Sequence, residues 1–438
     1  MQLWEWISRP IPFLERCSRL YGEMFTVRFP IGTIVFISDP ETIKEIFTGN
    51  PDVLHAGEAN ATPLEPLMGK NSVLLLDGPE HMRQRKLMLP SFHGERIQRY
   101  GDLMREIAED EIKTWPVGTS FALRPRTQAI TLEIIMRAVF GIEDAERLAT
   151  LRDRLGRLLD IGMQPRALAS IVIPPLRSTI GRRTWERFRR LRAEVDEVLY
   201  DEIRRRRTMP DISERDDVLS ILLQARDEQG KPLTDIELRD ELITLLVAGH
   251  ETTATTLAWA FDLLLRHPQG LDRLQTEIEE GESSEYLDAV IKETLRIRPV
   301  VPGVVRKLTA PLELKGYRFP AGMRLAPNIY LTHRNPNVYP EPERFRPERF
   351  LEHAADTYSW IPFGGGIRRC LGASFALYEL KIVIPTIIRN VTLRAVGDRP
   401  EPIRRRAITF VPARDAMVRV ERFNEPATRP PDRTPVTA

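Results

Sequence analysis

The sequence predicts a mainly α-helical protein with a minor β part, organised as one large helix-rich domain over residues 1–424. Three features carry this expectation. Helical periodicity dominates after about residue 80. Strand-like runs are confined to the first 60 residues and to two later stretches. One helix-forming segment, 234–266, is long enough to cross a whole domain. With 438 residues, 42% of them hydrophobic, the chain can bury a large core, and no repeat or Gly/Ser linker divides it.

The runs MFTVRF at 24–29 and TIVFIS at 33–38 are short, rich in β-branched and aromatic residues, and bounded by Gly or Pro, which favours strands. Helices are expected at 95–114, 127–140, 143–159, 184–206, 215–228, 234–266, 270–280, 284–297 and 371–389. Strand-like pieces return near 303–326 and 407–422. The four arginines at 204–207 read as a solvated helix end. The tail, 425–438, is Pro-rich and expected to be disordered.

Segment 234–266 opens with a capping-box pattern, Thr234 followed by Glu237, and ends ahead of His267-Pro268. A helix of that length spans about 50 Å. Its middle carries His250, Glu251, Thr252, Thr253, Thr255 and Thr256. A buried helix holds such groups only where they have partners or work to do.

Composition excludes several classes. Lys and Arg number 64 against 62 Asp and Glu, a net charge of +2, which argues against nucleic-acid binding by bulk charge. Two cysteines, Cys17 and Cys370, make neither a disulfide framework nor a thiolate zinc site, and fit a reducing, cytoplasmic setting. No apolar run approaches the roughly 18 residues of a membrane span, and the N-terminus lacks a signal-peptide pattern. There is no dinucleotide fingerprint and no flavin or iron–sulfur pattern, so no bound flavin or NAD is expected.

The stretch FGGGIRRCLG at 363–372 places Cys370 just ahead of the helix expected at 371–389. Free amides and the helix dipole favour a thiolate there. Gly364, Gly365, Gly366 and Gly372 allow close approach of backbone to a bulky object. Phe363 can pack beneath the sulfur, and Arg368 and Arg369 add positive charge. This suits an axial iron ligand. The thiol alone would read rather as a buried cysteine in a tight turn, and it is the spacing of the surrounding glycines and arginines that reverses this reading. A phosphate loop fits less well, because no Gly-Lys-Ser/Thr follows the glycines.

The pattern Phe363-x-x-Gly366-x-Arg368-x-Cys370-x-Gly372 resembles the haem-binding signature of the cytochrome P450 family of haem-thiolate monooxygenases. The resemblance implies that fold, with haem b ligated by Cys370 and with Phe363, Gly364, Arg368 and Gly372 around it. It is similar to the family elsewhere too. AGHETT places Ala248, Gly249, Glu251 and Thr252 in the middle of the longest helix. There the small residues would make room for dioxygen, and the Thr252 hydroxyl could reach the Ala248 carbonyl and loosen the helix. Glu251 would bring protons from solvent. Glu293 and Arg296, with Arg349, match the family's buried ion-pair network, a structural device. His81, Arg85 and Arg306 match its contacts to haem carboxylates. Trp360 stands where many members carry a histidine, leaving more of that duty to Arg368.

The same resemblance assigns substrate contacts to segments 55–75, 160–178, 241–249, 299–305 and 407–416, including Leu245, Ala248, Gly249, Val301, Val304 and Phe410. It implies insertion of one oxygen atom of O2 into an apolar substrate such as a fatty acid, terpenoid or steroid. The two electrons would come from a ferredoxin or flavodoxin with its NAD(P)H-dependent reductase, docking near Arg85, Lys86, Arg368 and Arg369 on a monomer. Peroxide-using relatives, haem-thiolate isomerases and gas-carrying haem proteins have less need of the Glu251–Thr252 pair.

Overall fold

The computed structural model describes residues 5–424 apart from 7, 30–31, 93, 143, 163–180 and 282. The Pro-rich tail and most of segment 160–178 therefore lie outside the described residues.

Both N-terminal strands form where their composition predicts. After α1 (Pro10–Tyr21), β1 (Met24–Phe29) pairs antiparallel with β2 (Gly32–Ile37), Met24 opposite Ile37. Then come α2 (Pro40–Thr48), β3 (Leu54–His55), α3 (Gly57–Met68), α4 (Gly78–Met88), α5 (Glu95–Arg99), α6 (Gly101–Ile112), β4 (Ser120–Ala122), α7 (Leu123–Phe140) and α8 (Ala145–Gly162). The second half holds α9 (Arg182–Arg207), α10 (Val218–Gln224), α11 (Asp235–Leu264), α12 (Pro268–Glu280) and α13 (Glu285–Ile297). It continues through β5 (Arg306–Leu308), β6 (Leu312–Leu314), β7 (Tyr317–Phe319), β8 (Arg324–Pro327), α14 (Ile329–Thr332) and α15 (Arg349–Glu352). Last are α16 (Ala373–Asn390), β9 (Val391–Ala395), β10 (Ile403–Arg406), β11 (Thr409–Pro412) and β12 (Met417–Phe423). The structure is 56% helical, so the mainly α expectation holds.

The largest sheet runs β1-β2-β8-β5-β3, and only β2–β8 is parallel, Ile34 opposite Arg324. It draws the first 55 residues against the 306–327 region. A second sheet, β4-β12-β9, and the hairpins β6-β7 and β10-β11 lie elsewhere.

α11 runs through the main hydrophobic cluster, which also takes residues from α7, α13 and α16. Its capping box is complete: the Glu237 N–H donates to Thr234 Oγ1 at 3.2 Å, and the Thr234 N–H donates to Glu237 Oε2 at 2.8 Å. Trp259 and Leu257 are fully buried on it.

Two helical expectations change. The helix expected at 95–114 divides into α5 and α6 at Gly101, where a side chain would strike the Tyr378 hydroxyl of α16. The helix expected at 215–228 shrinks to α10, started by Asp217, which accepts the Ser220 N–H at 2.9 Å. The solvated reading of 204–207 fails at Arg206. That side chain is fully buried, donating to Asp217, to Ser220 Oγ at 2.7 Å, to Glu202 and to the Phe140 carbonyl. It sits on the buried face of α9 with Leu199 and Ile203, so helical geometry carries it inward to join α7 and α10.

Candidate active site

In the middle of α11, between buried flanks, Leu245, Ala248, Gly249 and Thr252 keep accessible surface. Their spacing of i, i+3, i+4 and i+7 is one helical face. An open stripe at the centre of the molecule's main buried helix is the wall of an internal cleft. Thr252 Oγ1 donates to the Ala248 carbonyl at 2.7 Å, and Thr256 Oγ1 donates to the Thr252 carbonyl at 2.9 Å. From α7, Thr131 Oγ1 reaches the His250 carbonyl at 3.0 Å and Thr127 Oγ1 the Ala254 carbonyl at 2.9 Å. Four hydroxyls thus compete for helix carbonyls within seven residues, which weakens the α11 ladder beside the cleft. A side chain at Gly249 would press on Ile135 of α7 at 3.0 Å, so that glycine also serves helix packing.

Cys370 follows a single 3-10 turn, Gly366–Arg368, and its N–H donates to the Phe363 carbonyl at 3.0 Å. Its side chain has accessible surface, yet it lies so deep that burial pushes the thiol up, against the Gly372 N–H, Arg369 and Arg85. Surface that is both accessible and deep lies on the wall of a cleft. Gly364 and Gly366 hold φ of 66° and 63°, the left-handed region that glycine tolerates. A side chain at Gly365 would run into the Phe47 ring of α2, and one at Gly366 into the Phe47 carbonyl. These two glycines therefore answer to α2. Beside Gly372 there is open space, and at Gly364 the nearest atom is a Val304 methyl at 3.8 Å. Phe363 packs edge-on against Trp360, whose Nε1 donates to the Lys292 carbonyl at 3.2 Å. Trp360 is thus tied to α13.

The cations gather beside this loop. His81 is buried and its imidazole is held down to about 4, by burial first and then by Arg368 and Arg85. Its Nδ1 has no hydrogen-bond partner. Arg306 is buried, lowered to about 10 by burial and by Arg368, and lies over the Phe47 ring. Arg85 is half-buried and lowered by burial. Arg368 donates to the Val73 carbonyl at 3.1 Å, to the Leu76 carbonyl and to Asp77. Three guanidinium groups, an orphaned buried imidazole nitrogen and a single carboxylate, Asp77, call for a ligand that brings its own carboxylates. A haem fits that donor set and the open space at Gly372. Among the described residues no cluster of His, Cys, Asp and Glu could hold a bare metal ion.

Glu251 faces away from the open stripe. Only 7% exposed, it accepts from Arg124 Nη1 at 3.1 Å and from Gln128 Nε2 at 2.6 Å, one to each oxygen, with Arg406 at 3.9 Å. Arg124 also donates to Asp415, which reaches solvent. Nothing in the sequence pattern marked Arg124 or Gln128, since α7 brings them to α11 only in the fold.

Glu293, Arg296 and Arg349 do meet. Glu293 and Arg296 are fully buried and joined by two bonds, at 2.7 and 2.9 Å, and Arg349 Nε adds a third at 3.1 Å. Arg296 also donates to the His333 and Pro342 carbonyls. His333, unmarked in the sequence, extends this cluster. Its Nε2 accepts the Ile361 N–H at 2.9 Å and its Nδ1 lies 3.1 Å from the Arg296 carbonyl, which makes Nδ1 the donor. Ile361 begins the Cys370 loop, so His333 links the ion-pair cluster to that loop.

Val301 and Val304 are half-buried, as cleft positions can be. Phe410 is not: it is 1% exposed, packs edge-on against Tyr330 and belongs to a core cluster with Phe13 and Leu14. Its place in the buried strand β11 makes it a core residue. Lys86, expected on a docking face, pairs with Glu228 at 2.6 Å, while Arg369 is exposed.

The cytochrome P450 family model matches residues 5–418, and the chain belongs to this family of haem-thiolate monooxygenases. It is 45% identical over 414 residues to the putative cytochrome P450 135B1 of Mycobacterium bovis, covering 93% of this chain and 86% of the relative. It is 42% identical over 405 residues to the putative cytochrome P450 137 of Mycobacterium tuberculosis, covering 92% and 84%. Among solved structures, the retinoic acid bound cyanobacterial CYP120A1 superposes with a TM-score of 0.81 at 26% identity, covering 94% of this chain and 95% of that one. A cytochrome P450DA heme domain shares the fold, with a TM-score of 0.81 at 23% identity over 95% and 93% of the two chains. Among the described residues, no helix is long and apolar enough to cross a membrane.

Proposed function

We propose that this monooxygenase acts on an apolar small molecule of the fatty acid, terpenoid or steroid type, with haem b held by Cys370. Residues 1–424 act as one domain, a cytoplasmic monomer without bound flavin or NAD, fed by a ferredoxin or flavodoxin and its reductase. The observation that carries the reading is Thr252 on the open stripe of α11, its hydroxyl bonded back to Ala248 at 2.7 Å. The binding of retinoic acid by the cyanobacterial neighbour supports an apolar ligand, as do Leu245, Ala248, Val301 and Val304.

When bound, the haem supplies dioxygen activation and transfer of one oxygen atom. His81, Arg85, Arg306 and Arg368 hold its carboxylates. The Gly372 N–H, Arg369 and Arg85 favour the thiolate at Cys370 against the burial that pushes the thiol up. Thr252 presents a hydroxyl to the cleft, where it donates or relays a proton. Glu251, oriented by Arg124 beside the solvent-reaching Asp415, takes up protons from that side and must leave Gln128 to deliver them toward Thr252. The exposed Arg369 and half-buried Arg85 suit an acidic electron donor.

A reduced, carbon-monoxide-bound difference spectrum tests the ligand: the band sits in the red-shifted position of a thiolate complex and moves away from it in Cys370→His. Thr252→Ala tests proton delivery. Electron consumption continues while product per electron falls about tenfold or more, with peroxide released. Unchanged coupling in that variant would remove Thr252 from the reading.

A further inference from the structure

Asp77 occupies the N-cap position of α4, the helix that carries His81 and Arg85, yet its carboxylate makes no bond to that helix. It turns instead to α3. Oδ1 accepts the Ala56 and Gly57 N–H groups, each at 2.9 Å, and Oδ2 accepts the Glu58 N–H at 2.8 Å. These are the first amides of α3, which have no partner within that helix. The same carboxylate pairs with Arg368, two residues before Cys370. His55 Nδ1 stands 3.6 Å away. One half-buried anion therefore closes the start of α3 against the arginine of the cysteine loop.

α3 buries little of itself. Only Gly57 and Met68 are buried, and Pro63 and Pro66 interrupt its interior. Its far end is fixed in the opposite sense: Arg239 of α11 donates to the Met68 carbonyl at 3.0 Å, and Asp240 accepts from the backbone and side chain of Asn71 at 3.0 and 2.8 Å. An acid at the N-terminus and a guanidinium at the C-terminus both match the helix dipole. Near its start, Glu58 pairs with Lys307 of β5. α3 thus runs from β5 to the N-terminal half of α11, the helix that carries the open stripe.

We infer that Asp77 is a positioning residue that joins α3 and the Arg368 side of the cysteine loop into one unit, so that the substrate-side helix and the cofactor-side arginine move together. Its carboxylate sets the place of α3 through three amides and balances the charge of Arg368 through one ion pair. The amide part concerns the polypeptide alone, while the Arg368 part rests on the haem reading.

Two readouts on the haem-loaded protein test this. Residue-resolved amide exchange of wild type shows Ala56, Gly57 and Glu58 protected, although they head a helix. In Asp77→Ala, and in Asp77→Asn, these three amides exchange about tenfold faster or more, while α11 is unchanged. The midpoint potential of the iron shifts upward in both variants, because Arg368 loses its counter-charge, and does not shift in Glu58→Gln on the same helix. Fast exchange of 56–58 in wild type overturns the inference without any variant, should Asp77→Ala fail to fold. Faster exchange with an unmoved potential overturns the link to Arg368. Absence of the red-shifted carbon monoxide band in wild type would sink the haem reading and leave the exchange result standing.

Discussion

Glu379 projects from α16 into its contact with α11, buried, with Oε1 unpartnered and a hydrogen bond to Thr253. Burial pushes its carboxyl up from 4.5 to about 8, the Thr253 bond opposing. In the fold it is neutral at pH 7, whereas in the unfolded chain it ionises above 4.5. The stability it costs is absent near pH 4.5 and grows as pH rises toward 8. Glu379→Gln keeps the shape and removes the titration. Urea unfolding should find the variant equal to wild type near pH 4.5 and more stable by roughly 3–5 kcal/mol near pH 8; an equal gain at both values rules out burial as the cause. His250 is the mirror case. Burial first, then Arg406 and Arg124, hold it down to about 4. It stays neutral in the fold while the unfolded chain protonates below 6.5, so its contribution is whole above 6.5 and is lost as pH falls toward 4. His250→Phe should gain on wild type by about 2–3 kcal/mol between pH 7 and 4.5, and a flat difference across that range contradicts it.

Elements with a regular apolar repeat were legible in the sequence: α7, α9, α11, α12, α13 and α16 fall within a few residues of their expected spans. α3 and α4 were not, and for a physical reason. α3 contains two prolines and is held at its ends by side chains far along the chain, Asp77 and Arg239. α4, GPEHMRQRKLM, faces charges more than core, so no stripe betrays it. The site divides in the same way. Cys370, Thr252 and the Glu293–Arg296 pair stand out because their spacing is local. Thr127, Thr131, Gln128 and His333 do not, because each acts only where α7 or α14 meets another element. Phe410 misled because a strand-like segment near a cleft says nothing about which side chains turn inward.

At the scale of the whole molecule, the parallel β2–β8 pair brings the N-terminal hairpin to the region around Pro327, and the Phe47 contact does the same for the cysteine loop. Its two glycines differ in what they touch: a ring at 365, main chain at 366. A ring can be trimmed and a carbonyl cannot. Gly365→Ala should destabilise by about 1–3 kcal/mol in wild type and by clearly less in a Phe47→Ala background, whereas Gly366→Ala should cost the same in both. A thermal-unfolding double-mutant cycle reads this directly, and equal costs at 365 in the two backgrounds contradict it. A side chain at position 365 then depends on what stands at position 47, while at position 366 trimming the side chain at 47 gives no relief. The loop that carries the sulfur thus takes part of its intolerance of substitution from a phenylalanine more than three hundred residues upstream.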